Sequence, residues 1–140
     1  MESQNRVFGV ETEQGVASIT LRSLPDTKGI GAQVFTALAD ARISVDTILK
    51  NMTVNGFWDL TVTVDKNDLN EALKVVQSLM KVLGSGSVVF DDALAKVSIV
   101  GTGMQNAPGY AARMFKALGN KNINIHLITT SEIRITCVIQ

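Results

Sequence analysis

This sequence of 140 residues is short of most groups that do chemistry: it has one cysteine, Cys137, and one histidine, His126. A single cysteine excludes an internal disulfide framework and fits a reducing compartment. With one histidine, one cysteine and no base placed beside a nucleophile, covalent catalysis has no visible apparatus. No His, Asp or Glu set has metal-ligand spacing, so no metal and no cofactor is expected. Aromatic residues make up only 5% of the chain, and 13 basic side chains balance 13 acidic ones. That leaves no field to attract nucleic acid or an anionic membrane, and few rings on which bases would stack. No apolar run approaches the ~20 residues of a membrane span. The opening MESQNRVFGV lacks the basic and then apolar layout of a signal peptide. The expectation is a cytoplasmic protein with no nucleic-acid and no membrane partner. What the chain does have is apolar material, 46% of its residues. That is enough for a core, in a length suited to one ordinary domain or two very small ones.

The apolar residues are organised by an internal repeat. The segment KGIGAQVFTALADARISVDTI (Lys28 to Ile48) matches PGYAARMFKALGNKNINIHLI (Pro108 to Ile128) without a gap. Gly29 falls on Gly109, Phe35 on Phe115, Leu38 on Leu118, Ile43 on Ile123 and Ile48 on Ile128, and upstream Ile19 falls on Ile99. The same supersecondary unit therefore occurs twice.

In the first copy, Val16 to Arg22 alternates apolar and polar residues, the period of a half-buried strand. A polar turn from Pro25 to Gly29 leads to Ile30, Val34, Phe35 and Leu38 at helical spacing. A second strand is expected from about Ser44 to Thr53. Asn55-Gly56 suits a tight hairpin, whose two central residues need positive φ. The return strand puts Trp58, Leu60, Val62 and Val64 on one face. A helix with Leu69, Leu73, Val76, Met80 and Leu83 on its buried side follows, stopped by Gly84-Ser85-Gly86, and Ser87 to Phe90 closes the unit as a strand. The order is βαββαβ, the ferredoxin-like plan. The second copy repeats βαββ over Ala95 to Gly101, Gly109 to Gly119, Asn124 to Thr130 and Ile133 to Ile139, and is incomplete at the C-terminus. Its missing strand is available in Arg6 to Val10. The expected fold class is α+β, two ferredoxin-like units packed side by side. The first spans residues 11–92, and the second combines 1–10 with 93–140.

The stretch LPDTKGIGAQVFTALADARISVD, then DDALAKVSIVGTGM and the tail NINIHLITTSEIRITCVI, resembles the regulatory region of bacterial aspartate kinases. The resemblance covers essentially the whole chain. It implies two ACT units that follow a kinase domain, or form a separate small subunit, and sense lysine, threonine or both. It also implies that the N-terminal strand joins the second unit, with the first inserted between the two pieces. The partners that the resemblance implies are a second copy of the chain, as a homodimer, and the aspartate kinase catalytic domain or subunit. None of the kinase chemistry is visible here: no phosphate-cradling glycine loop with its lysine is present.

A free amino acid needs donors for its carboxylate, which a helix N-terminus offers, and an acceptor for its ammonium. The resemblance assigns two sites. A threonine-type site uses Asp26, Lys28, Gly29, Ile30, Gly31 and Lys50, with Asn124 and Ile125 from the other unit. A lysine-type site uses Met104, Gly109, Tyr110, Ala111, Ser131 and Glu132, facing Val45 and Asp46; Glu132 or Asp46 would meet a lysine ε-ammonium. Three residues depart from the family pattern: Lys50 stands for a glutamine, Ala107 for a histidine and Lys28 for a proline. A lysine at position 50 adds a positive charge and removes an amide acceptor.

Each of these residues also has a plainer reading. Gly29 and Gly109 serve equally as turn glycines, Asp26 as a helix cap, Lys50 as a solvated strand charge and Ser131-Glu132 as a polar hairpin turn. His126 reads as structural, Trp58 as core, and Cys137, alternating with Ile133, Ile135 and Ile139, as a small core residue. Three rival functions share the fold. A stand-alone ACT-type sensor or assembly module without effector needs nothing more than these units. RNA binding would require exposed aromatics on central strands, and an acyl phosphate hydrolase would require an arginine-bearing loop after the first strand, which Leu24 to Lys28 lacks.

Overall fold

The computed structural model describes residues 7–53, 55–84, 86–102 and 108–140. Its elements are β1 (Val7–Pro25), α1 (Ile30–Asp40), β2 (Ile48–Met52), β3 (Phe57–Asp65), a 3₁₀ turn (Lys66–Asp68), α2 (Leu69–Leu83), β4 (Ser87–Gly101), α3 (Pro108–Asn120), β5 (Ile125–Thr130) and β6 (Arg134–Ile139). The chain separates into two compact units, Gly15–Ala93 (unit I) and Met1–Gln14 with Leu94–Gln140 (unit II). The architecture is α+β and ferredoxin-like.

In unit I the strands lie in the order β2-β3-β1-β4. β1 and β3 pair antiparallel, with Ile19 opposite Val62 and Leu21 opposite Leu60, and β3 pairs antiparallel with β2. The period-two alternation sends Ala17, Ile19 and Leu21 of β1 and Trp58, Leu60 and Val62 of β3 to one face, where α1 and α2 cover them. Ile19, Leu21, Leu24, Leu38 and Leu60 are fully buried. Side chains of that size each contribute about 1.5–3 kcal/mol when taken out of water. On α2 the buried line runs Leu69, Ala72, Val76, Met80, while Leu73 and Leu83 are only partly buried and pack at its margin. The helix ends at Gly84, whose left-handed φ of 75° lets its N–H bond the Met80 carbonyl at 2.9 Å. The β2–β3 hairpin turns through Asn55 (φ 81°) and Gly56 (φ 78°), both positive as the Asn-Gly pair predicts.

In unit II the order is β1-β4-β6-β5, and β4–β6 and β5–β6 pair antiparallel. α3 covers a smaller core, in which Met114, Ile135 and Cys137 are buried and Val97, Ile99, Tyr110 and Phe115 pack against them. Residues of β1 are tied into this unit by two ion pairs, Lys96 Nζ to Glu13 at 3.3 Å and Arg134 Nη1 to Glu11 at 2.8 Å.

Several expectations about extent are corrected. β1 is one strand of 19 residues, and β4 runs unbroken through Asp91 to Leu94, where the sequence suggested two strands and a connector. β2 begins at Ile48, not Ser44. The residues before it are held by single bonds to Thr63 instead of a ladder: the Asp46 N–H donates to the Thr63 carbonyl, the Thr63 N–H to the Thr47 carbonyl and the Thr47 N–H to the Thr63 hydroxyl. Ile133 is 52% exposed, because it sits in the turn ahead of β6 and does not share the burial of Ile135 and Cys137. The repeat also slips. Across the sheet, Ile19 leads through Val62 to Ile48, whereas Ile99 leads through Ile135 to Thr130. Thr130, not Ile128, is therefore the structural counterpart of Ile48. An irregularity between Ile125 and Leu127 in β5 shifts the ladder at that point.

Candidate functional site

The turn leaving β1 builds the first candidate site. β1 ends at Pro25, residues Asp26, Thr27, Lys28 and Gly29 are exposed, and α1 starts at Ile30. Gly29 holds φ 91°, a left-handed conformation that costs a residue without Cβ little. A Cβ there would meet nothing within 4 Å, so the conformation and not crowding is what calls for glycine. No side chain caps α1 and its first turn holds no acidic residue. The Ile30 N–H reaches the Thr27 carbonyl only at 3.5 Å. Asp26 is thus not the helix cap that its position allowed. Ile30 places its side chain in the core, at 5% exposure.

Trp58 joins this turn to the strands. Its Nε1–H donates to the Pro25 carbonyl at 2.9 Å. Its Cη2 lies 4.0 Å from the position a Cβ would take on Gly31. The Lys50 ammonium, from β2, stands 4.5 Å from the ring centroid. One indole therefore contacts the last residue of β1, next to Asp26, and two elements, α1 and β2, that carry sequence-predicted site residues. Reading Trp58 as core was right in that it is 5% exposed, but incomplete. The available signal was the buried indole N–H, which requires a partner, on a residue two places after the hairpin glycine. Lys50 is likewise not a freely solvated charge: although the residue is exposed, its ammonium stands over the aromatic ring.

Val45 packs at the margin of the unit I core, and Asp46 is exposed on the segment before β2. In unit II, Gly109, Tyr110 and Ala111 form the first turn of α3; Tyr110 and Ala111 lean on the Met114, Ile135 and Cys137 cluster, and Gly109 is exposed. Ser131 is committed to the hairpin turn. Its hydroxyl accepts the Ile133 and Arg134 N–H groups at 3.4 and 3.3 Å, and its own N–H donates to the Arg134 carbonyl at 2.8 Å. Glu132 is exposed at the tip. Asn124 is exposed just before β5, and Ile125 opens that strand and packs on the unit II core. Met104 and Ala107 lie outside the described residues.

A groove of about 600 Å³ opens in unit I between the end of α2 and the start of β4, lined by Lys74, Met80, Lys81, Gly86 and Val88 among others. It includes none of the predicted site residues. Among the described residues no three His, Cys, Asp or Glu side chains are grouped to hold a metal, and no helix is long and apolar enough to cross a membrane.

An ACT domain family model matches residues 97–140. The chain is similar to an aspartate kinase of Stutzerimonas stutzeri, 40% identical over 96% of this chain and 32% of that protein. It spans about a third of the length of the curated relatives it matches. Among solved structures, the regulatory subunit of aspartate kinase from Thermus thermophilus, in its ligand-free form, superposes with a TM-score of 0.89 at 37% identity, over 96% of this chain and 89% of that one. The aspartate kinase of Synechocystis superposes with a TM-score of 0.87 at 43% identity, over 99% of this chain and 25% of that one.

Proposed function

Because the chain belongs to the ACT-domain regulatory regions of aspartate kinases, we propose that it senses a free amino acid, lysine or threonine or both. The sensing serves feedback control of aspartate-family amino acid biosynthesis. Phosphoryl transfer belongs to a kinase catalytic domain or subunit, and this chain contributes binding and not turnover. It acts as a homodimer together with that catalytic partner.

The observation that carries the reading is the uncapped start of α1 beside Trp58. Free backbone N–H groups and the positive end of the helix suit a ligand carboxylate. Asp26, Lys28, Gly29, Gly31 and Lys50 surround that point in the threonine-type site, with Asn124 and Ile125 assigned to it from unit II. The lysine-type site takes Gly109, Tyr110, Ala111 and Glu132, with Met104, Ser131, Val45 and Asp46. An effector that prefers one arrangement of the module biases the kinase by that difference in affinity and by nothing else.

The test is thermal unfolding of the chain with each free amino acid in turn, followed by calorimetry on any that shift it. A ligand at about 100 times its dissociation constant stabilises by roughly 2.7 kcal/mol. A selective shift with lysine or threonine supports the reading and names the effector. Equal traces across the panel up to tens of millimolar would remove amino-acid sensing from this chain.

A further inference from the structure

The contact of Lys50 with Trp58 lies within the unit I site of the effector reading, and the inference drawn from it rests on that reading. All five residues of the edge strand β2 are exposed. A lysine there would ordinarily extend into water, where its ammonium is hydrated and its stem keeps its rotamers. Instead its Nζ stands 4.5 Å from the Trp58 centroid. Attraction between a cation and a ring face accounts for that placement. The ring is not free to turn away, since its N–H is bonded to the Pro25 carbonyl at 2.9 Å and its Cη2 abuts Gly31. The aromatic face next to the α1 turn is therefore already occupied by a positive charge.

We propose that Lys50 is the specificity-determining residue of the unit I site, because its ammonium holds the indole face that a ligand's ammonium would otherwise take. A zwitterionic amino acid binds there only by displacing Lys50 or by accepting a like charge beside its own. A ligand that brings a second carboxylate to that face is favoured in its place. Lys50 acts as a tethered competitor whose local concentration does not change with metabolism.

Trp58 is the only tryptophan in the chain, so its fluorescence reports this site and no other. Threonine and aspartate are titrated into the intact chain and into Lys50→Met and Lys50→Arg variants, each first checked for an unchanged melting temperature. Removing the cation and its repulsion is expected to tighten threonine binding about tenfold in Lys50→Met, and to weaken aspartate relative to threonine. Lys50→Arg, which keeps a cation over the ring, stays at the parent affinities. Threonine binding equally well to the parent and to Lys50→Met would overturn the specificity role while leaving the effector site intact. Failure of both ligands to bind any of the three chains would overturn the unit I effector site and this inference with it, while lysine sensing is decided separately by the amino-acid panel.

Discussion

The indole N–H of Trp58 is bonded to the carbonyl oxygen of Pro25, 33 residues earlier in the chain, at 2.9 Å. The bond fixes the exit of β1 to the neighbouring strand at the point where the turn toward α1 begins. Trp58→Phe keeps a large ring in the core but orphans the Pro25 carbonyl. The expected cost is about 1–2 kcal/mol. Trp58→Ala adds a cavity and should cost roughly 3–5 kcal/mol. Denaturant unfolding followed by circular dichroism checks both, and equal losses for the two variants would mean that the hydrogen bond, not packing, dominates.

Gly86 and Gly109 should respond oppositely to alanine. Gly86 has φ 85°, and a Cβ there would run into the Arg22 carbonyl oxygen and the Met80 methyl. Left-handed strain together with overpacking predicts a loss of about 2–4 kcal/mol for Gly86→Ala. A Cβ on Gly109, in the first turn of α3, meets nothing within 4 Å. Gly109→Ala should be neutral or stabilising by up to about 1 kcal/mol. Paired thermal melts decide the matter.

In unit II the hydroxyls of Ser98 and Thr136 face each other at 2.7 Å, at 6% and 8% exposure. Ser98→Ala leaves the threonine hydroxyl buried without that partner and should cost about 1–3 kcal/mol. Ser98→Ala combined with Thr136→Val removes both polar groups and should cost less than the two single changes added together. Additive losses in the double-mutant cycle would show that the two hydroxyls do not depend on one another.

Burial pushes the Cys137 thiol above its ordinary value of 9.0. Above that pH the unfolded chain gives up its thiol proton while the folded chain keeps it, so unfolding is favoured as pH rises. The contribution is fully present below pH 9 and fades above it, with a limiting slope of about 1.4 kcal/mol per pH unit. Cys137→Ala should flatten that part of the stability profile between pH 8 and 10.5. A thiol reagent at pH 8 should label the folded chain only as fast as it opens.

Much of this was legible from the residues alone. The three helices begin where apolar residues take up helical spacing, and Asn55-Gly56 turns as those two residues require. Those signals are local, and local physics decides them. Continuity is not local. Gly15 and the Asp91-Asp92 pair look like breakers, yet β1 and β4 pass straight through them, because a neighbouring strand supplies partners that no periodicity reveals. The two-residue slip between Ile48 and Thr130 is invisible to an ungapped match for the same reason: register is set across strands. At the candidate site, glycine and charge positions could be read, but not the ring beneath them. Alternation made Trp58 a core residue, and only its contacts with Pro25 and Lys50 show that it also faces the turn.

Unit II draws on both ends of the described chain, with unit I between its pieces. During synthesis this imposes an order. At about 5–20 residues per second, the ribosome releases all of unit I before α3 exists, and domains generally fold as they emerge. The β1 residues Glu11 and Glu13 must wait for Lys96 and Arg134 to be made before their ion pairs can close. Until then the early segment, with Phe8 and Val10 exposed even in the finished fold, is a nascent edge without its mate. The insertion that places one unit inside the other thus sets a vectorial timetable: the inner unit matures first, and the outer one closes around chain delivered seconds apart.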